Sequence, residues 1–217
     1  MKSTLIAPSI LSGDFANMGR EVEGLKSAGA DWVHIDVMDG IFVPNITFGF
    51  KMISDIRPHS DLTFDTHLMI DKPSRYVERF VKAGSQYVTF HLEAEPDVDG
   101  TIAIIKAAGC KCGLAINPDT DVDKLIPYLD KLDMALIMTV FPGFGGQRFI
   151  DGSLERIARA KALVKRYAPH ALVEVDGGVT ADNAAEIISA GADVLVAGSA
   201  VFNADDRAAA VARIRGE

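Results

Sequence analysis

Residues 28–38 read AGADWVHIDVM: a small-residue stop, then at once an apolar run rich in β-branched side chains. The same unit returns as AGSQYVTFH at 83–91, AGCKCGLAI at 108–116 and AGADVLVA at 190–197. A glycine just past the end of a helix supplies the left-handed residue that stops it. A short apolar run directly after it reads as a buried strand. Working outward, the pattern predicts eight strands near 5–8, 32–38, 62–69, 87–91, 111–116, 134–140, 171–176 and 194–197. Helical periodicity fills the gaps at 14–27, 50–56, 74–82, 98–107, 122–128, 154–167, 181–189 and 205–214, each with apolar residues at three- and four-residue spacing. Strict strand–helix alternation implies a parallel sheet with crossover helices. Eight such units predict an α/β fold, a single (β/α)8 TIM barrel spanning 1–217. A doubly wound open sheet is the alternative, because alternation alone does not show closure.

Composition agrees with a folded core. The chain of 217 residues is 48% hydrophobic and 24% charged, which excludes a disordered tail, a collagen-like chain and a disulfide scaffold. A net charge of −8 without a basic run argues against a nucleic-acid partner. It leaves an anionic substrate open, since backbone amides bind phosphate without side-chain charge. In MKSTLIAPSILSGDF, Pro8 and Asp14 interrupt the apolar run early and no small-residue cleavage site follows. No apolar window is long enough to cross a membrane. The two cysteines, Cys110 and Cys112, lie too close in sequence to close a useful loop, so they read as reduced packing thiols in a cytoplasmic protein.

Parallel barrels carry their chemistry at the C-terminal ends of the strands. Side chains two apart on a strand share a face. His34, Asp36 and Met38 therefore share one face, as do Asp65, His67 and Met69, and again Glu174 and Asp176. Closure brings His34, Asp36, His67 and Asp176 towards one point on the axis. Two imidazoles and two carboxylates suit a divalent metal such as Zn, Fe, Mn or Co. The alternative is four satisfied core residues, since a strand histidine is ordinarily hydrogen-bonded packing. Asp65 and Glu174 sit one layer deeper and are expected to support the others by hydrogen bonds. His59 and His170 each follow a proline in a connecting segment and read as surface residues; His91 falls at the end of the fourth strand.

Glycine clusters follow three strands: PGFGGQ at 142–147, Gly177-Gly178, and Gly198-Ser199 opening a short helical turn. Barrels frequently hold phosphate with the loops after strands 7 and 8, where glycines let backbone N–H groups approach the anion. Tight turns alone are the plain alternative. Met38, Met69 and Met138 fall late on strands with inward parity. They read as core filler or as a polarisable, proton-free lid over a developing anion.

The segments IAPSIL, HIDVMDGIFVPNITFG, THLMI, MTVFPGFGGQ, EVDGGV and VAGSAVF run in order through nearly the whole chain. In them the chain resembles the ribulose-phosphate 3-epimerase family. The resemblance implies a ribulose-phosphate-binding (β/α)8 barrel of the pentose phosphate pathway. It implies a metal-dependent isomerase whose partner is a small-molecule ketose phosphate, with no nucleic acid and no membrane, interconverting D-ribulose 5-phosphate and D-xylulose 5-phosphate. It further implies one divalent ion per subunit on His34, Asp36, His67 and Asp176, with Asp36 and Asp176 as the acid/base pair. Ser9, His67, Gly143, Phe144, Gly145, Gly146, Asp176, Gly177, Gly178, Gly198 and Ser199 are then expected to hold the substrate. Met38, Met69 and Met138 are expected to cap the enediolate. A homo-oligomer, dimer or hexamer, is also implied. Phe141 and Phe50 depart from the family pattern and are expected near the mouth, where they bear on sugar length and lid motion. The nearest alternative activity is D-allulose 6-phosphate 3-epimerase. A barrel decarboxylase or aldolase would be expected to place a lysine at an inward strand end, and strands 2, 3, 6, 7 and 8 have none.

Overall fold

The computed structural model describes residues 4–217; residues 1–3, the start of the N-terminal stretch read above, lie outside the described residues. Eight strands form one parallel sheet: β1 (Leu5–Pro8), β2 (Trp32–Met38), β3 (Thr63–Met69), β4 (Tyr87–His91), β5 (Lys111–Ile116), β6 (Met134–Met138), β7 (Leu172–Asp176) and β8 (Val194–Ala197). Their order, β1-β8-β7-β6-β5-β4-β3-β2, runs round a ring. A single bridge between Ser9 and His34 brings the β1 and β2 edges together, which decides for the barrel over the open sheet. The helices are α1 (Met18–Ser27), α2 (Phe50–Ile56), α3 (Val77–Ala83), α4 (Val98–Ala107), α5 (Ser153–Tyr167), α6 (Ala184–Ala190), the single turn α7 (Ser199–Phe202) and α8 (Arg207–Arg215).

Two expectations are corrected. The segment expected as a helix at 122–128 forms two 3-10 turns, Val122–Leu125 and Leu129–Lys131. Pro127 has no N–H to continue an α-helical ladder, and Ile126 N–H bonds Asp123 O at the tighter i−3 spacing. Phe50 does not reach the mouth. It lies in the helical layer, with its ring 5.5 Å from that of Phe80 and the Arg79 guanidinium 3.6 Å from its centroid.

The repeated small-residue stop has a physical basis in both halves. Gly29, Gly84, Gly109 and Gly191 all take positive φ, from 77° to 116°, at helix ends. A polar residue just before each even-numbered strand braces the sheet, after such a glycine at Asp31, Gln86 and Asp193 and without one at Asp133. Asp31 Oδ2, before β2, accepts the Ile6 N–H of β1 at 2.8 Å. Gln86 Oε1, before β4, accepts the Phe64 N–H of β3 at 2.7 Å. Asp133 Oδ2, before β6, accepts the Cys112 N–H of β5 at 2.9 Å. Asp193 Oδ2, before β8, accepts the Val173 N–H of β7 at 2.8 Å. Each brace also meets a cation: Arg215, Arg57, Lys111 and Lys161 in turn. Asp193→Ala removes the acceptor of one brace and leaves the Val173 N–H and the Lys161 ammonium without their partner. The expected cost is about 2 kcal/mol, read as a lower urea midpoint with unchanged slope. A midpoint equal to that of the unaltered chain counts against the brace.

Alternation divides the strands as the period of two requires. Outward residues such as Val33, Ile35 and Leu68 pack with the helices in the main core, where Cys112 also lies. Inward, Trp32, Met134 and Val194 plug the N-terminal end of the barrel, and Ala7 and Val196, in contact with them, lie one layer higher, level with Asp176. The polar residues lie above this plug. Cys110 and Cys112 are buried free thiols, and burial pushes the Cys110 thiol up to about 12.

Candidate active site

At the C-terminal end of the barrel is a cavity of about 400 Å³. Asp36 from β2 and Asp176 from β7 both line it, and on the shorter way round the ring their strands are separated by β1 and β8. Ser9, on the turn after β1, donates from Oγ to Asp36 Oδ2 at 2.5 Å and so fixes that carboxylate. Thr139, after β6, donates from Oγ1 to the carbonyls of Asp176 and Gly177 at 3.0 and 2.6 Å, which steadies the end of β7.

Behind the two carboxylates lie the imidazoles. His34 Nε2 is buried and makes no hydrogen bond, yet stands 3.3 Å from Asp36 Oδ1 and 3.9 Å from Asp176 Oδ2. His67 Nδ1 stands 3.2 and 3.6 Å from the same two oxygens. One donor atom from each of His34, Asp36, His67 and Asp176 lies within 4.8 Å of the others. An orphaned imidazole nitrogen facing two carboxylates and a second imidazole is a donor set that fits a divalent transition ion. His67 is fully buried and is not among the residues that line the cavity, whereas Asp36 and Asp176 in front of it are.

The electrostatics follow from burial and proximity. Burial opposes the charge on Asp36, but His34 and His67 beside it hold its carboxyl far below the usual carboxylate range. Burial likewise opposes a charged His34, yet Asp36 and Asp65 raise it well above the ordinary histidine value. Asp65 Oδ2 lies 2.6 Å from His34 Nδ1 and orients the ring, as the parity reading expected. Glu174 is in the same layer, 3.8 Å from His34 Nδ1, and makes no hydrogen bond. Burial, then the charge of Asp65, pushes its carboxyl well up.

The three glycine clusters line one end of the cavity. Gly143, Phe144, Gly145 and Gly146 come from the loop after β6, Gly177 and Gly178 from that after β7, and Gly198 and Ser199 from that after β8. Among the described residues, the backbone N–H groups of Gly177, Gly178, Gly198 and Ser199 donate to no protein acceptor. Gly177 has φ +122°, and a Cβ there would lie 2.8 Å from Val140 N, so only glycine fits. Gln147 holds the β6 loop through Nε2 bonds to the carbonyls of Phe141 and Phe144, and Asn45 ties it to the β2 loop through Gly143 O at 2.9 Å. Phe141 is half exposed on this rim. Met38, Met69 and Met138, all but fully buried, close the cavity floor and wall.

The family model described as "Ribulose-phosphate 3 epimerase family" matches residues 5–202. The chain belongs to this family. It is an epimerase, an enzyme of the isomerase class. Among relatives, the ribulose-phosphate 3-epimerase of Bacillus subtilis (strain 168) is 48% identical over 212 residues, covering 97% of this chain and 98% of its own. That of Synechocystis sp. is 45% identical over 216 residues, covering 99% and 94%. At the level of fold alone, a mutant tryptophan synthase α-subunit from Pyrococcus furiosus superposes with a TM-score of 0.74 at 15% identity, covering 100% of both chains. The barrel thus serves several chemistries, and what marks this epimerase is the set of side chains at its mouth.

Sequence reasoning missed one part of the site. His91, at the end of β4, is fully buried with Nε2 2.8 Å from His67 Nε2. Its Nδ1 lies 3.3 Å from Glu93 Oε2. Burial pushes His91 down to about 4, against the pull of Glu93. Burial opposes the charge of Glu93, but hydrogen bonds from His91, Thr120 and the Asn117 N–H outweigh it and bring its carboxyl down to about 2. The signal available was only a histidine at a predicted strand end, since Glu93 lies past that end in the 3-10 turn Leu92–Ala94.

Proposed function

We propose that this chain inverts C3 of a phosphorylated 2-ketose, interconverting D-ribulose 5-phosphate and D-xylulose 5-phosphate. The observation that carries the reading is the pair of carboxylates, Asp36 and Asp176, presented to one cavity from separate strands. Inversion requires that a proton α to the carbonyl leave one face and another arrive on the opposite face. Asp36 takes the proton in one direction and Asp176 donates; the roles exchange in reverse. The intermediate is a cis-enediolate lying between them.

His34, Asp36, His67 and Asp176 are the residues that would hold a divalent ion, Zn, Fe, Mn or Co. When bound, such an ion supplies Lewis acidity to the hydroxy-ketone, worth several kcal/mol where negative charge develops. This matters because a carboxylate held as low as Asp36 is a weak base for a carbon acid. Ser9 keeps the Asp36 carboxylate aimed at the cavity. Met38, Met69 and Met138 bring a polarisable surface with no exchangeable proton, so the enediolate meets no stray acid. The backbone N–H groups of Gly177, Gly178, Gly198 and Ser199 support the phosphate at the far end. The names of the relatives favour the five-carbon sugar over allulose 6-phosphate.

The direct experiment is turnover of ribulose 5-phosphate in deuterated water, with product isolated and its C3 position read by NMR. Deuterium at C3 is the expected outcome, since the acid that reprotonates differs from the base that took the proton. Product carrying the original hydrogen there sinks the two-carboxylate reading. Turnover of allulose 6-phosphate measured alongside is expected to be the slower reaction.

A further inference from the structure

We propose that Glu93 is a positioning residue: acting through His91, it sets which ring nitrogen of His67 carries hydrogen and so leaves Nδ1 open towards Asp36 and Asp176. This rests on the reading that His67 is a metal ligand, and goes beyond it. The geometry is a line of groups that runs inward from the partly exposed Glu93 carboxylate to the fully buried His91 and His67. Glu93 Oε1 accepts the Asn117 N–H at 2.9 Å and the Thr120 hydroxyl, which fixes the carboxylate after β4. Arg156 of α5 clamps those two residues in turn, donating to the carbonyls of Thr120 and Asn117 at 2.8 Å each. Glu93 Oε2 is left facing His91 Nδ1 at 3.3 Å.

A carboxylate can only accept. His91 must therefore carry its hydrogen on Nδ1, and its Nε2 is a bare lone pair. That lone pair lies 2.8 Å from His67 Nε2, a separation that accommodates one hydrogen and no more. The hydrogen belongs to His67 Nε2. His67 Nδ1 faces Asp36 Oδ1 at 3.2 Å and by the same rule holds a hydrogen towards that carboxylate, so with Nε2–H fixed by His91 it is Nδ1 that gives up its hydrogen to become the ligating nitrogen. His34 has its outer nitrogen set directly by Asp65. The two imidazoles are thus oriented by different means: one by a carboxylate in contact, the other by a carboxylate one ring away.

Glu93→Gln reverses the line without changing its shape. The amide oxygen stays with the two donors at Asn117 and Thr120, and the NH2 turns to His91 Nδ1. His91 must then carry hydrogen on Nε2, which meets the His67 Nε2–H unless His67 moves its own hydrogen to Nδ1. Zinc affinity, measured by competition with a chromophoric chelator, is expected to fall about 10–100-fold in Glu93→Gln. In the unaltered zinc-loaded chain, long-range proton–nitrogen correlation spectra are expected to show His91 protonated at Nδ1 and His67 at Nε2. That second readout needs no variant to fold. His91 protonated at Nε2, or a folded Glu93→Gln chain that binds zinc as tightly as the original, overturns the proposal. An original chain that takes up no zinc overturns the metal reading on which the proposal rests, and is distinguished by that uptake alone.

Discussion

Asp176→Asn and Asp36→Asn are each expected to lower epimerisation about 10³–10⁴-fold, with the fold retained. Asparagine keeps the size of the side chain and can neither take nor return a proton. Both residues are at the cavity surface and neither braces the sheet, so the barrel is expected to survive the change. The two variants should differ in what they still do. With Asp176 replaced, Asp36 can still remove a proton from the epimer that presents its C3 hydrogen to β2. That proton returns to the same face after exchange with solvent. Recovered substrate of one epimer should therefore gain deuterium with almost no conversion to the other. Asp36→Asn should show the mirror pattern, with label in the opposite epimer. Incubating each variant with each sugar in deuterated water and reading C3 by NMR separates the cases. Label in the same epimer for both variants would place the two carboxylates on one side of the carbon and end the two-face account.

The second large effect concerns the cation. Stripping divalent ions with a strong chelator is expected to cost at least about 100-fold in turnover, restored by zinc at one equivalent per chain. The physical reason lies in the charges around His34. Burial opposes a charged His34, but Asp36 and Asp65 raise it well above its ordinary value, so at neutral pH a proton supplies the positive charge between the carboxylates. A metal needs the Nε2 lone pair of His34 bare, so uptake must expel that proton. Affinity should accordingly rise from pH 6 to pH 8 and weaken on acidification. Calorimetry in two buffers of different ionisation heat counts the protons released. Full turnover after stripping, with elemental analysis showing no ion left, would remove the metal from the account.

Much of this site was legible because a strand has a period of two. Once His34 was set inward, Asp36 and Met38 had to follow, and the same rule carried Asp65, His67, Met69, Glu174 and Asp176. The structure places all of these on the inner face at or below the mouth. What failed lay outside the rule. His91 is the last residue of β4 and Glu93 lies in the 3-10 turn Leu92–Ala94, so parity does not relate them. Their meeting depends on Asn117 and Thr120 from the next loop, which no local pattern connects to Glu93. Phe50 was misplaced because a position beside Gly49 was matched to a family pattern without its direction. As the first residue of α2, it turns to α3. The crossover at 122–128 had helical periodicity, and one proline was enough to tighten it into 3-10 turns.

The four braces at the starts of β2, β4, β6 and β8 lie at the opposite end of the barrel from the chemistry. Each ties an even-numbered strand to the odd-numbered strand before it, so the barrel is assembled as four paired staves, hooped at the base. The hoops owe nothing to the rim. Loops above can lengthen, shorten or change their cargo while the staves keep their stagger, which gives this architecture room to acquire new reactions without first relearning how to fold.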